Sequence, residues 1–250
     1  MKKFGLIGRK LGHSFSQAYF NQKFIDLHIP DSEYNLYELD NIDDFIDLIL
    51  NNPDIVGLNV TVPYKESVIP FLDSLSPDAS AIGAVNTIII DKNGKTIGHN
   101  TDTKGFGQML NKHLPIIQTS ALVLGTGGAS KAVCHVLEQQ SIKITKVSRQ
   151  PTQDTVLYQE LGKEHFDTHR LIINTTPLGM FPDIDSSPAI EYNLITPRHM
   201  LIDLVYNPPL TRFLAQGKCN GAIGINGLEM LHAQAEASWN IWNSNLQSQL

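Results

Sequence analysis

Gly125-Thr126-Gly127-Gly128 stands directly after the apolar run Ala121-Leu122-Val123-Leu124 and directly before a helical pattern carried by Ala129, Val133, Val136 and Leu137. No other feature restricts the fold so strongly. A strand that ends in clustered glycines and turns at once into a helix aims backbone N–H groups at one point, at the positive end of the helix dipole, where a pyrophosphate is favoured. Gly125, Thr126, Gly127, Gly128 and Ala129 are therefore the candidate cofactor-binding residues, with Ser130 where a third glycine often stands. The competing reading is an ordinary strand-to-helix loop.

The surroundings favour the first reading. Ala121–Leu124, Ile142–Val147, Leu171–Asn174 and Met200–Val205 are short runs rich in Val, Ile and Leu. Such runs are expected where helices cover both faces of a parallel sheet. One link is odd, because only seven residues separate Val147 from the next expected strand, Thr155–Tyr158. A parallel pair normally needs a longer crossover, so either the helix is missing or the second strand is not parallel. Eighteen residues after Gly128 begins Lys146-Val147-Ser148-Arg149, with no acid to receive ribose hydroxyls. An arginine at that point pairs with a 2′-phosphate, which favours NADP over NAD, unless Arg149 merely ends a strand in solvent.

Before this region the periodicity alternates between strand and helix. Strands are predicted over Lys3–Gly8, Tyr34–Leu39 and Ile55–Val62, and helices over Ser14–His28, Ile42–Leu50 and Tyr64–Ser74. Ala84–Asp91 and Thr96–His99 flank Asp91-Lys92-Asn93-Gly94, a hairpin signal because Asn and Gly tolerate positive φ. A helix with Phe106, Met109 and Leu110 follows, and the chain closes on an amphipathic helix of about 20 residues marked by Leu228, Leu231, Ala235, Trp239, Trp242 and Leu246. Its wide apolar face suits packing against another domain. With 250 residues, 42% hydrophobic and 18% charged, the chain has the composition of an α/β globular protein with one or two cores. The formal charge of −6 argues against nucleic acid, which requires a basic face. The apolar runs fall far short of the roughly 20 residues of a membrane span, so a soluble, cytoplasmic protein is expected. Cys134 and Cys219 are too isolated for a disulfide framework or a zinc site, and His165 and His169 lack a metal-binding context.

Several polar residues fit poorly with packing alone. Asn59-Val60-Thr61-Val62-Pro63-Tyr64-Lys65 ends a strand and opens a predicted helix with a cation in its first turn, where the dipole disfavours it. Asp102 is a candidate partner for Lys65; a solvated lysine and a capping aspartate are the plain alternative. Ser14 and Ser16 put two hydroxyls at a helix start, where a carboxylate could be held. Capping accounts for one of them. Asn86 opens an apolar strand, and Gln234 borders the apolar face of the last helix.

Taken in order, these segments resemble the shikimate dehydrogenase family over nearly the full length. The likeness rests on Gly12-His13-Ser14-Phe15-Ser16, Asn59 to Lys65, Gly83-Ala84-Val85-Asn86-Thr87, Asn100-Thr101-Asp102 and the glycine turn. It continues through Asn174 to Met180, Asp203-Leu204-Val205-Tyr206 and Asn226 to Leu231 with Gln234. The resemblance implies an N-terminal α/β substrate domain over 1–103, a Rossmann-type doubly wound NADP domain over 104–226, and a C-terminal helix, 227–248, returning to the first domain across a cleft. It implies reversible NADPH-dependent reduction of 3-dehydroshikimate to shikimate, in aromatic amino-acid biosynthesis. By matching positions, Lys65 and Asp102 would be the catalytic pair, and Ser14 and Ser16, with Tyr206 nearby, would hold the substrate carboxylate. Asn59, Thr61, Asn86 and Gln234 would bind ring hydroxyls. Gly125 to Ala129, Ser148, Arg149, Leu204 and Gly227 would face the cofactor. The partner is thus a small molecule, with neither nucleic acid, membrane nor metal, and the assembly a monomer or homodimer. The family's Asn-Arg-Thr with a second basic residue reads Ser148-Arg149-Gln150-Pro151-Thr152-Gln153 here, which loosens the expectation of strict NADP use. Two alternatives stand beside this reading. A quinate/shikimate dehydrogenase would use the same pair with either cofactor, and a noncatalytic dinucleotide sensor would need neither Lys65 nor Asp102.

Overall fold

The computed structural model describes residues 1–12, 14–114, 119–151 and 154–247; His13, Thr152, Gln153 and residue 248, which the sequence reading includes, lie outside the described residues. It divides into two units, Met1–Thr101 with Ala235–Leu250, and Asp102–Gln234.

In the first unit the chain runs β1 (Lys2–Gly8), α1 (Phe15–Asp26), β2 (Ser32–Glu38), α2 (Phe45–Asn51), β3 (Ile55–Val60), α3 (Tyr64–Ser67), β4 (Ser74–Leu75), α4 (Pro77–Ile82), β5 (Thr87–Ile90) and β6 (Thr96–His99). Among the described residues the strands form one sheet in the order β2-β1-β3-β5-β6-β4. β1 lies parallel to both β2 and β3, while β3, β5 and β6 are antiparallel in turn. The β5–β6 hairpin is the one expected, closed by Gly94 at φ 77°, the only member of its turn at positive φ; Asn93 instead donates its N–H to Asp91 Oδ1 at 2.8 Å. Ile7, Phe45, Leu58, Val60, Val68 and Ile88 bury themselves in one cluster of this unit.

Two departures in this unit have local causes. The helix expected over Tyr64–Ser74 is only the four residues of α3, followed by a 3₁₀ turn at Ile69–Phe71. Pro70 has no N–H to continue an α-helical ladder and disfavours helical geometry at Ile69. The macrodipole of so short a helix is small, and Lys65 belongs to its last turn as much as its first, so the cost assigned to a cation at a helix start falls away. α4 was not anticipated, although its punctuation is complete. Ser76 accepts the Ala79 N–H, Pro77 takes the first helical position, and Gly83 ends the helix at φ 69°.

The second unit contains α5 (Asp102–His113), β7 (Ser120–Leu124), α6 (Gly128–Gln139), β8 (Lys143–Ser148), β9 (Thr155–Leu157), α7 (Lys163–Thr168), β10 (Leu171–Asn174), β11 (Met200–Asp203), α8 (Arg212–Cys219), β12 (Ile223–Ile225) and the first part of α9 (Leu228–Gln247). Its strands pair only in parallel among the described residues, in the order β12-β11-β10-β7-β8-β9. Renumbered within the unit, that is the 3-2-1-4-5-6 order of doubly wound dinucleotide-binding sheets, with its switch point between β7 and β10. β9 pairs with β8 in parallel, so the alternative of an antiparallel second strand falls away. β9 starts opposite Lys146, two residues before β8 ends. The chain therefore has to go back only about 7 Å along β8 and about 5 Å sideways. The six positions 149–154 can span roughly 20 Å, so register makes the crossover helix dispensable.

From Ala235 onward α9 belongs to the first unit. There Ala235, Trp239 and Trp242 join Phe4, Phe20, Phe24 and Tyr34 in a second, largely aromatic cluster. Trp242 donates its indole N–H to the Ile88 carbonyl at 3.0 Å. Gly57 leaves room for that ring, since a Cβ there would lie 2.5 Å from the indole nitrogen.

Candidate active site

The first unit gathers most of the polar residues singled out for substrate. Ser14 occupies the N-cap position of α1 with extended backbone (φ −85°, ψ 124°), yet its side chain makes no capping bond. The capping role allowed to it is therefore not what the hydroxyl does. Ser16, on the first turn, hydrogen-bonds the hydroxyl of Tyr34. Tyr34 is buried, and burial holds its hydroxyl well above the usual tyrosine range, so it remains protonated and can donate. It donates to Asn59 Oδ1 at 2.8 Å.

Asn59 is buried at the end of β3, and its amide lies 3.1 Å from Ser238 Oγ, 3.2 Å from Thr87 Oγ1 and 3.2 Å from the Asn86 carbonyl. Ser238 Oγ in turn lies 2.8 Å from Thr87 Oγ1 and 3.0 Å from Thr101 Oγ1. The Asn86 carboxamide oxygen accepts the Thr101 N–H at 2.7 Å, and its amide donates to Thr101 Oγ1 at 3.0 Å. One continuous buried network thus runs from the start of α1 to the residue before Asp102. Tyr34, Thr87, Thr101 and Ser238 were not singled out from sequence as site residues. A tyrosine in a strand and a serine in a helix look ordinary there, and only pairing across 25 and 179 positions gives them away.

Thr61 and Lys65 flank this network on the segment after β3. The Thr61 carbonyl accepts the Tyr64 N–H at 2.9 Å, and the Lys65 carbonyl accepts the Val85 N–H at 2.7 Å, which ties α3 to the segment that carries Asn86. Lys65 is half-buried.

In the second unit, Asp102 is the first residue of α5 and only 5% exposed. Gln234 is half-buried on α9, its amide donating to the Leu231 carbonyl at 3.0 Å. The glycine turn follows β7 as expected. Gly125 adopts φ 113°, where a side chain is strained, and a Cβ there would also lie 2.7 Å from Thr175 Oγ1. Ser130, in place of a third glycine, closes the turn by donating to the Gly125 carbonyl at 2.7 Å. Thr126 is exposed, Gly127 is the N-cap of α6, and nothing lies within 4 Å of where a Gly127 Cβ would be. That open surface above a 12-residue helix fits the close approach of a pyrophosphate, with Gly128 and Ala129 in the first turn.

At the end of β8, Ser148 is buried and accepts the Gln150 N–H at 3.2 Å, while Arg149 is exposed. On the other side of the switch point, Leu204 and the half-buried Tyr206 follow β11, and burial raises the Tyr206 hydroxyl. Gly227 lies against this turn so closely that a Cβ would come within 2.1 Å of the Leu204 carbonyl oxygen. Glycine is required there by proximity.

The parallel sheet, its strand order and the glycine turn at its switch point define a dinucleotide-binding protein of the doubly wound class, joined to a second α/β unit. A sequence profile described as the shikimate dehydrogenase substrate binding domain matches residues 6–88. The shikimate dehydrogenase (NADP(+)) of Clostridium beijerinckii is 42% identical over 255 residues, covering 97% of this chain and 92% of that protein. Among solved structures, shikimate dehydrogenase 1 from Peptoclostridium difficile superposes with a TM-score of 0.84 at 36% identity, covering 98% of this chain and 92% of the other. Shikimate 5-dehydrogenase from Thermus thermophilus, in complex with NADP(H) and shikimate, gives 0.86 at 30% identity, covering 98% and 94%. The chain belongs to the shikimate dehydrogenase family.

Proposed function

We propose that the chain catalyses the reversible NADPH-dependent reduction of 3-dehydroshikimate to shikimate, a step of aromatic amino-acid biosynthesis. The observation that carries this reading is a 42%-identical relative of that activity spanning 97% of this chain, whose own Lys65, Asp102 and glycine turn supply the chemistry. The unit Met1–Thr101 with Ala235–Leu250 is assigned to substrate and Asp102–Gln234 to cofactor.

NADPH, when bound, supplies the hydride that adds to the ring ketone. Gly125, Thr126, Gly127, Gly128 and Ala129 receive its pyrophosphate through backbone N–H groups and the α6 dipole. Ser148 and Arg149 receive the adenosine 2′-phosphate, a role supported by the exposure of the guanidinium and by the absence of an acid at the end of β8. With those two ends assigned, Leu204 and Gly227, across the switch point, face the nicotinamide half.

Ser14 holds the substrate carboxylate, joined by Ser16 once its hydroxyl turns from Tyr34, with Tyr206 completing the site. A Ser14 hydroxyl not spent on capping supports this. Thr61, Asn86 and Gln234 bind ring hydroxyls, and Asn59, whose oxygen and amide are engaged inside the fold, joins them by holding the Asn86 backbone. Hydride addition leaves an alkoxide; the Lys65 ammonium stabilises the developing charge and gives the oxygen its proton. Asp102 accepts a hydrogen bond from the neighbouring substrate hydroxyl and orients the ammonium. A monomer or homodimer in the cytoplasm completes the proposal. Two free cysteines, Cys134 and Cys219, suit a reducing compartment.

Lys65→Ala tests the chemistry. It should lower kcat at least roughly 10²-fold with a modest change in KM, the pattern of an interaction made mainly in the transition state. Near-normal kcat with a raised KM would make Lys65 a binding residue and move the proton donor elsewhere.

A further inference from the structure

At the carboxyl end of the parallel sheet, one strand from the switch point, a carboxylate is enclosed completely. Asp203, the last residue of β11, has 0% exposure, as do Asn174 at the end of β10 and Thr211 at the N-cap of α8. Asp203 Oδ1 accepts the Asn174 amide at 2.9 Å and the Val205 N–H at 3.0 Å, and Oδ2 accepts the Thr211 hydroxyl at 2.5 Å. Asn174 extends the connection, because its oxygen accepts both the N–H and the hydroxyl of Thr176 at 3.0 and 2.6 Å. Its backbone carbonyl accepts the Leu204 N–H at 3.0 Å. Gly227 closes the other side of the same turn, donating its N–H to the Val205 carbonyl at 3.2 Å.

Packing alone does not call for an ionisable group here. Burial pushes the Asp203 carboxyl up to about 6, even though the bonds from Thr211, Val205 and Asn174 pull the other way. An apolar residue in a dry site would carry no such penalty, and replacing buried ionic groups with packed apolar ones is often neutral. What the carboxylate does, and an apolar residue could not, is fasten three separate chain segments to two oxygen atoms with defined directions.

We infer that Asp203 is a positioning residue for the nicotinamide end of the cofactor, fixing the Leu204–Tyr206 turn by tying it to the end of β10 and the start of α8. This rests on the assignment of Leu204 and Gly227 to the nicotinamide half. Asp203 touches neither cofactor nor substrate in this account; it acts through the backbone it holds.

Asp203→Ala and Asp203→Asn, each checked by circular dichroism, separate positioning from general damage. The probes are adenosine 2′,5′-bisphosphate, which occupies only the adenosine end, intact NADP, and turnover with shikimate. Affinity for the bisphosphate should stay within about twofold of the parent in both variants, because that end lies across the sheet. Asp203→Ala should weaken NADP and lower kcat roughly 10- to 100-fold, as misplacement of a reacting group by an ångström does. Asp203→Asn should recover most of that loss, since its oxygen still accepts from Asn174 and Val205 and its amide can donate to Thr211. If Asp203→Ala does not fold, Asp203→Ser, too short to reach all three donors, is read the same way. Unchanged NADP affinity and kcat in the short variant, a parallel fall in bisphosphate affinity, or no recovery in Asp203→Asn would each overturn the inference. A parent protein that binds both nucleotides but leaves shikimate untouched would instead sink the assigned reaction, and the ratio of NADP to bisphosphate affinity would still decide the role of Asp203.

Discussion

Asp203 makes a stability prediction with a definite sign. Its folded pKa, about 6, lies above the ordinary aspartate value of 3.8, so the folded state binds a proton more tightly than the unfolded chain does. Its stabilising contribution is therefore complete below about pH 4 and is lost as pH rises through 6, on the order of 3 kcal/mol for a shift of this size. Urea unfolding of the parent and of Asp203→Asn between pH 4.5 and 7.5 should show this as a downward slope in the parent that the variant flattens. Equal slopes would show that the carboxyl does not titrate in that window.

A second prediction at this scale concerns Arg149. Only NADP offers it a 2′-phosphate, so Arg149→Ala should raise KM for NADP far more than for NAD; matching effects would show that the guanidinium does not read that phosphate. Single residues stood out in the sequence as candidates where their chemistry conflicted with their surroundings. Arg149 without a neighbouring acid, two serines at a helix start and an amide opening an apolar strand were of this kind. Tyr34, Thr87, Thr101 and Ser238 carried no such conflict, and their shared network depends on tertiary pairing that no local pattern encodes.

Elements were legible in proportion to the length and regularity of their periodicity. α9, α5 and the strands buried on both faces could be read from spacing. α3 could not, because the apolar spacing after Pro63 continues through Pro70 while the backbone ladder does not. The β8–β9 link was readable as a conflict between strand grammar and linker length, and register settled it. α4 was marked by caps on so short a segment that periodicity had nothing to count. Packing between elements yields a test at Gly57, where β3 passes under Trp242. In Gly57→Ala the new methyl must push the indole aside and strain its bond to Ile88. A loss of about 1–3 kcal/mol in urea unfolding is expected from overpacking of this kind. An unchanged midpoint would mean that the ring gives way freely.

At the scale of the whole chain, the two units follow different rules. One pairs its strands in a mixed sheet with an aromatic cluster completed by the last helix; the other is parallel throughout its described strands and opens its switch point at a glycine turn. Nucleotide binding could be read from the second unit bottom-up, because a glycine turn that follows a buried strand, with Gly125 at φ 113°, opens directly onto the start of a 12-residue helix. The identity of the substrate could not. A carboxylate and several ring hydroxyls describe many small molecules, and it is membership in the shikimate dehydrogenase family that narrows them.

The most direct test is the absorbance of reduced cofactor when the purified protein meets shikimate or quinate, each with NADP or NAD. Rapid reduction of NADP with shikimate, and much slower reduction in the other three combinations, is the predicted result. Clear turnover of quinate with none of shikimate, or nucleotide binding with no reduction by either acid, would contradict it.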